Sequence, residues 1–349
     1  IKDLQSTDWA ANRILPQLMK NLKSPDWSHV REMILVPDGA LWYCPFEALA
    51  LGDDESKQPL IQRFRLRYVP TIGLAVGDPR FAKRDTKTAI VTGRMYPKDD
   101  LQLTRDASET IATSLPGVVR LPGKLPGPSS LIGKFFDRLV VLHDFDDADK
   151  MPYDWSLGQV DKGKPGSALS SWFALPWGGP AQVVLPGFHT PAEASLKKGG
   201  SGDEIFLALC GMMSTGTRTV LLSRWRVAGQ STFDIVKEFV QELPHLPATE
   251  AWQRSVDLLS NADLTVDREP RLRSPDGSSL KAQHPFFWAG YMLVDTGVDP
   301  RLAKDPNPEK AAAAPEKPNA KPEEKPNEKN DLAGKENAAK KPGEEAAAP

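Results

Sequence analysis

The side chains of this 349-residue chain that could carry chemistry gather behind an apolar run near its middle. His143 ends the run 139–142, and Asp144, Asp147 and two more aspartates follow within six residues. Clustered carboxylates at the end of a strand could hold a divalent metal ion or carry phosphoryl chemistry. His189 follows the apolar run 183–185, and with His143 and either carboxylate it could complete a metal site.

The acidic segment 144–149 matches no metal or phosphoryl motif in full. It lacks the glycine and the distal glutamate of a calcium loop, and Ala148 stands where an Asp-x-Asp-x-Thr motif has threonine. A solvated loop whose aspartates cap nearby amides is the favoured interpretation. A metal-dependent site at 144–149 stays open as an alternative, and the chain carries no motif for a cofactor.

Two cysteines, Cys44 and Cys210, are the other candidate nucleophiles, and two cannot build a disulfide framework. A nucleophilic cysteine is expected directly after an apolar strand. Cys210 instead lies inside a helical pattern that opens with the capping-box sequence 201–204, and Cys44 lies in an apolar turn segment. Both are therefore predicted to be structural, and Cys210 remains the one candidate nucleophile worth testing.

The elements that must position these residues alternate between strands and helices. The apolar runs 33–36, 139–142, 183–185 and 219–222 are typical of strands buried on both faces, and 287–294 is a further strand candidate. Helices are predicted from 203 to Gly216, from Ser231 to Pro244 with an apolar stripe, and around 251–259. The pattern predicts a three-layer α/β/α sandwich around a mostly parallel sheet, with the site past the strands' carboxyl ends.

Four segments in order resemble the CHAT family, a caspase-like branch of the cysteine peptidases. They are ILVPDGALW at 34–42 with PFEAL at 45–49, the strand 139–143, the segment VVLPGFHT at 183–190, and the strand GTRTVLLSRW at 216–225 with HPFFWAG at 284–290. The resemblance spans roughly residues 30–296. It implies a caspase-like sheet, a helix beginning at PFEAL, and packed core positions for Trp42, Trp225 and Trp288.

The resemblance also implies where a catalytic pair would stand. The family's cysteine position falls on Phe188 and its histidine position on Asp147. Phenylalanine offers no lone pair or proton, and loss of a nucleophile costs on the order of 10⁶ in rate in well-studied hydrolases. The resemblance therefore implies a degenerate peptidase that acts as a binding or regulatory module, with a candidate site lined by His143, Asp144, Gly187, His189 and Trp225. An active cysteine peptidase with Cys210 as its nucleophile stays open as the alternative.

Composition sets the domain boundaries and the classes of partner. Residues 1–30 are predicted as a lead-in helix, 31–298 as the CHAT-like domain, and 299–349, rich in Lys, Glu, Pro and Ala, as a disordered tail. A net charge of −2 argues against nucleic acid, and no apolar run reaches membrane-spanning length. The CHAT resemblance implies a protein partner, bound through helical repeats outside this chain. The compartment stays open with a slight preference for the cytoplasm.

Overall fold

A computed structural model describes the parts of the chain that carry the sheet and its helices. The described residues are 28–51, 58–77, 87–93, 101–122, 136–143, 180–188, 202–225, 229–265, 268–269 and 282–297. All of them fall in the first of two compact units, Ile1–Ala303. The second unit, Lys304–Pro349, and most of the predicted lead-in helix and tail lie outside the described residues.

The described residues form ten strands, eight of which build one sheet. The strands are β1 (Glu32–Leu35), β2 (Ala50–Leu51), β3 (Gln58–Pro59), β4 (Arg65–Tyr68), β5 (Thr88–Thr92), β6 (Val119–Pro122), β7 (Arg138–Leu142), β8 (Gln182–Leu185), β9 (Thr219–Ser223) and β10 (Tyr291–Asp295). The order in the large sheet is β1-β4-β10-β9-β8-β7-β5-β6, while β2 and β3 pair with each other.

The large sheet is mostly parallel and contains one reversal of direction. Strands β6, β5, β7, β8 and β9 run the same way. Strand β10 is antiparallel to β9, and β4 and β1 follow the direction of β10. Every residue of β7, β9 and β10 is buried, as expected for strands covered on both faces. The predicted α/β class is confirmed.

Five α-helices accompany the sheet in the described residues. They are α1 (Leu60–Arg63), α2 (Leu101–Ser114), α3 (Asp203–Ser214), α4 (Gln230–Glu242) and α5 (Ala248–Ser260). Helix α4 packs against both α2 and α5, so these three form one layer. Phe233, Val236, Val240 and Leu243 form the predicted apolar stripe of α4 and are all buried.

Side-chain contacts of β4 show which elements cover each face of the sheet. Arg65 pairs with Glu250 of α5 on one face. Tyr68, three residues on, points to the opposite face, because side chains alternate along a strand. There its hydroxyl donates to Glu47 in the 3-10 turn Phe46–Ala48. The preceding 3-10 turn, Gly39–Tyr43, contacts the start of α3, so these turns and α3 form the second layer.

Three local predictions were wrong in detail. The N-cap of α3 is Gly202 in a left-handed conformation with no side-chain cap, and Glu204 accepts a hydrogen bond from Tyr43 instead of closing a capping box. The PFEAL segment begins no α-helix, since its residues form only the short turn Phe46–Ala48 behind Pro45. The closing strand begins at Tyr291, because the 3-10 turn Pro285–Phe287 occupies the start of the predicted run.

The described residues contain no helix that is both long and apolar enough to cross a membrane. Trp42 and Trp288 are buried in the core as predicted. Trp225 packs against the core and is partly buried.

Candidate functional site

The candidate site lies where β7 and β8 end side by side. The two strands pair in parallel, with Leu139 beside Val183 and Val140 beside Val184. His143 directly follows β7, and Gly187 and Phe188 lie two and three residues after Leu185, the last residue of β8. The carboxyl ends of adjacent parallel strands are the usual place for a site in such sheets. An imidazole and a phenyl ring therefore stand at this edge.

The imidazole of His143 lies directly over the backbone of Gly93. Gly93 follows β5, and its N–H donates to the carbonyl of Leu142 at 2.9 Å. A Cβ atom placed on Gly93 would lie 2.1 Å from Nδ1 of His143. No side chain fits at such a distance, so the glycine is what allows the largely buried ring to lie across the end of β5.

Replacing Gly93 with alanine is expected to force the His143 ring out of its position. The new methyl group would overlap the imidazole, and overpacking of this kind typically destabilises by about 1–3 kcal/mol. Urea unfolding followed by circular dichroism measures the change. Gly73→Ala is the matched control, because nothing lies within 4 Å of a Cβ atom there. Equal stability of the two variants would contradict the placement of His143.

Phe188 ends a tight turn that β9 holds in place. The N–H of Phe188 donates to the carbonyl of Leu185 at 3.0 Å, and the N–H of Ser223 donates to the carbonyl of Phe188 at 3.0 Å. The Ser223 hydroxyl also donates to the carbonyls of Pro186 and Phe188. The Phe188 side chain is 1% exposed and belongs to the hydrophobic core. An apolar ring thus fills the position that follows β8.

Arg224, one residue beyond Ser223, is the most deeply buried charge near this edge. Its side chain is 0% exposed and donates to the carbonyls of Trp42, Ala289 and Tyr291 at 3.3, 3.0 and 2.8 Å. It also pairs with the Glu47 carboxylate at 3.2 Å and lies over the Tyr68 ring, 5.1 Å from its centre. The guanidinium therefore ties the 39–48 turns to the ends of β9 and β10.

Burial and opposite charge act against each other in this network. Burial raises the pKa of the Glu47 carboxyl, and Arg224 offsets that rise only in part. Burial is the largest influence on the Arg224 guanidinium and lowers its pKa, but Glu47, Tyr68 and Cys44 together outweigh burial and hold that pKa above its ordinary value. Arg224 consequently stays charged, and the Glu47 carboxylate is its counterion.

The two cysteines lack the environment of an activated thiol. Burial raises the pKa of Cys44 to about 11, since Arg224 opposes burial only weakly and Glu47 adds to it. Burial also raises the pKa of Cys210, which lies within α3 as predicted. Because the thiolate is the nucleophile, a raised pKa leaves both cysteines as protonated, weakly reactive thiols near neutral pH.

A carboxylate caps the start of α4, the helix that follows β9. Glu269 is 5% exposed and accepts hydrogen bonds from the Ser231 N–H at 2.7 Å and the Ser231 hydroxyl at 2.9 Å. Burial raises the pKa of Glu269 to about 7, the Ser231 bonds oppose that rise, and Asp234 adds to it. Acidic groups at a helix N-terminus are stabilised by the helix dipole.

Glu269 is expected to make the stability of the protein fall as the pH rises. Its folded-state pKa of about 7 exceeds the ordinary value of 4.5, so the folded state binds more protons between these values. The contribution of Glu269 to the free energy of unfolding is thus fully present below pH 4.5. It declines by about 1–3 kcal/mol as the pH rises to about 7. Urea unfolding across that range measures it. Glu269→Gln should flatten the slope, and an unchanged slope would contradict the assignment.

Several predicted site residues lie outside the described residues. Asp144, Asp147, His189 and the rest of the acidic segment 144–149 are among them, so their placement stays a prediction. The described part of the chain contains no group of three or more possible metal ligands. Of the predicted lining residues, the structure brings His143, Gly187 and Trp225 to the ends of β7, β8 and β9.

Sequence reasoning missed the residues that support this edge. The Glu47–Arg224 pair spans 177 positions, and neither residue belongs to a local pattern that marks a partner. A charged residue directly after the apolar strand 219–223 was the available signal for Arg224, since a charge in such a place needs a buried counterion. Gly93 gave a weaker signal, a lone glycine after an apolar run.

The mostly parallel sheet, with its adjacent strands β7 and β8 ending at one edge, defines the α/β class of the fold, and the family match suggests a caspase-like, peptidase-related fold. The chain belongs to the CHAT domain family, because the family model matches residues 5–121 and 193–296, more than half of the chain. The PFEAL segment, the SRW strand and HPFFWAG all lie inside the matched ranges. Strands β7 and β8 fall in the interval between the matched ranges, so the match does not cover Asp147 and Phe188, where the resemblance places the family's catalytic pair.

Comparisons with curated proteins and with solved structures add little to the family assignment. No curated protein matches the chain. Solved structures of the pyridoxal kinase from Staphylococcus aureus are similar at 8% identity and a TM-score of 0.29, covering 61% of this chain and 100% of that one. The same kinase in complex with pyridoxal gives 9% identity and a TM-score of 0.28, with coverage of 62% and 100%. Likeness at these TM-scores carries no argument about fold or function.

Proposed function

We propose that this chain is a CHAT domain that has lost the cysteine–histidine pair of peptidase members and acts as a protein-binding module. The observation that carries the proposal is Phe188, a fully packed apolar side chain three residues after the end of β8, which pairs with β7, the strand that His143 follows. A site of this kind keeps the shape of the strand ends but has no atom that can attack a peptide carbonyl.

The state of the cysteines favours this function over the alternative of an active peptidase. Cys210 lies in the middle of a helix rather than after a strand, and burial raises its pKa. Cys44 has a pKa of about 11. An activated cysteine instead needs a lowered pKa from a nearby cation or base.

Loss of catalysis is tested by peptide cleavage and thiol labelling on the full chain. We expect no cleavage of a fluorogenic peptide library, and slow alkylation of both cysteines by iodoacetamide at pH 7. Cys210→Ser and Cys44→Ser assign any labelling to its residue. Cleavage that disappears in Cys210→Ser would overturn the proposal and identify an active peptidase.

Binding at the strand ends is tested separately by site-specific crosslinking. A photoreactive phenylalanine analogue replaces Trp225, which is partly buried at the end of β9. A defined pool of synthetic peptides is then offered under light, and crosslinks are mapped by mass spectrometry. The same analogue at Leu258, exposed on α5, is the matched control. Crosslinks at 225 above the level at 258 support a binding site, and equal levels would contradict it.

We also propose the domain boundaries drawn from composition. Residues 31–298 form the CHAT domain proper, residues 1–30 lead into it, and residues 299–349 form a tail. The family match at 5–121 and 193–296 supports the end of the domain, and it suggests that part of the lead-in belongs to the family unit.

A further inference from the structure

The outer edge of the large sheet at β1 presents backbone groups that its neighbour does not use. The carbonyls of Arg31 and Leu35 accept hydrogen bonds from the N–H groups of Arg65 and Val69 at 2.9 Å each. Because the N–H and C=O groups of successive residues in a strand point to opposite sides, the backbone groups of Glu32, Ile34 and Val36 point away from β4. Within the described part of the chain, no backbone group bonds to them, and β1 is the last strand of the sheet on this side.

An apolar patch lies on one face of this edge. Glu32 and Arg67 pair on that face, at 3.0 Å, so the alternate residues Ile34 and Val36 share it. Arg67 also donates to the carbonyl of Ala75 at 2.8 Å, which places the 3-10 turn Ile72–Ala75 over the same face.

The patch is exposed to an extent that is unusual for such side chains. Ile34 is 37% exposed and Val36 44%, while Ile72 and Val76 reach 72% and 75%. Together these four residues expose roughly 400 Å² of mostly apolar surface, which is in the range of functional patches on monomeric proteins. We call the four residues and the outer edge of β1 the edge patch.

We propose that the edge patch binds an extended peptide segment of another protein, which adds to β1 as a further strand and places β-branched apolar side chains on the patch. The outward backbone groups of β1, which no described residue pairs, require an extended chain, because only a strand matches their spacing. The alternating exposure of Ile34 and Val36 requires apolar side chains at alternate positions of the partner.

The size of the edge patch favours a peptide over a second copy of this chain. A stable dimer needs about 800 Å² per partner, about twice what the edge patch offers. This inference is independent of the proposed function, since three strands separate β1 from β8.

The test is fluorescence anisotropy with a defined probe on the full chain. The probe is a labelled seven-residue peptide with valine and threonine alternating between terminal lysines. The control probe has the same length and carries proline at its centre, which removes a backbone donor. We expect saturable binding of the first probe and at least tenfold weaker binding of the second.

Variants assign the binding to the edge patch. Ile34→Lys and Val76→Asp should each weaken binding of the probe at least tenfold, whereas Leu258→Lys, at a comparably exposed apolar position on α5, should leave it unchanged. Val76→Asp decides the matter if Ile34→Lys loses its circular dichroism spectrum, because Val76 lies outside the strand. No saturable binding, or equal loss in Leu258→Lys, would overturn the proposal. A concentration-dependent dimer abolished by Val76→Asp would identify a second copy as the occupant and would overturn it as well.

Discussion

Arg224→Met is expected to destabilise the protein by about 3–5 kcal/mol. The variant leaves the Glu47 carboxylate buried without its counterion, and removal of one partner from a buried pair has an effect of this size. It also removes the donors to the carbonyls of Trp42, Ala289 and Tyr291. Urea unfolding monitored by tryptophan fluorescence measures the loss, since Trp42 and Trp288 lie in the core.

Two further variants separate the charge effect from the loss of packing. Arg224→Met with Glu47→Leu should recover part of the stability, because no uncompensated charge then remains. Arg120→Met is the surface control, since Arg120 and Glu109 pair at 2.8 Å with both side chains more than half exposed. Exposed pairs contribute about 0–1 kcal/mol. A loss in Arg224→Met no larger than in Arg120→Met would contradict the buried network.

Phe188→Ala is expected to destabilise the protein by about 3–5 kcal/mol, because deleting a fully buried phenyl ring leaves a cavity. Phe188→Leu fills most of that space and should have a loss of about 1–1.5 kcal/mol. The same urea measurement applies to both variants. If alanine and leucine were tolerated equally well, the position after β8 would be open to solvent rather than packed.

A cysteine at the same position extends this prediction to reactivity. In Phe188→Cys the new thiol should react with DTNB far more slowly than in the urea-unfolded chain, because the side chain it replaces is 1% exposed. The background variant carries Cys44→Ser and Cys210→Ser, so that one thiol is measured. Fast reaction under native conditions would show an accessible site at the end of β8.

Much of the sheet could be predicted because its strands carry their own signal. The runs 139–142, 183–185 and 219–222 are apolar and rich in β-branched residues, and each lies in a strand with both faces covered. The end of α3 near Gly216 was also predictable, because a glycine commonly follows the end of a helix. In the structure α3 ends at Ser214, and Gly216 has a φ of 101°. Strand β1 was predicted too, but nothing in its sequence indicated that it lies at an edge.

The supporting residues of the site could not be predicted, because tertiary contacts decide them. Glu204 was expected to close a capping box, but its carboxylate instead accepts a hydrogen bond from the hydroxyl of Tyr43, which is far away in sequence. The PFEAL glutamate was expected at a helix start and is instead the buried partner of Arg224 and Tyr68. A local sequence pattern does not identify which distant residue a side chain will contact, and at both of these positions the distant contact decides the side chain's role.

The place of β10 in the sheet bears on how the protein is made. This strand comes last in the chain among the described elements, yet it lies between β4 and β9 and joins the two directions of the sheet. Until residues 291–295 leave the ribosome, β1 and β4 have no partner linking them to the other five strands. Among the described strands, the edge of β4 that faces β10 therefore has no neighbour until the last of them has been made.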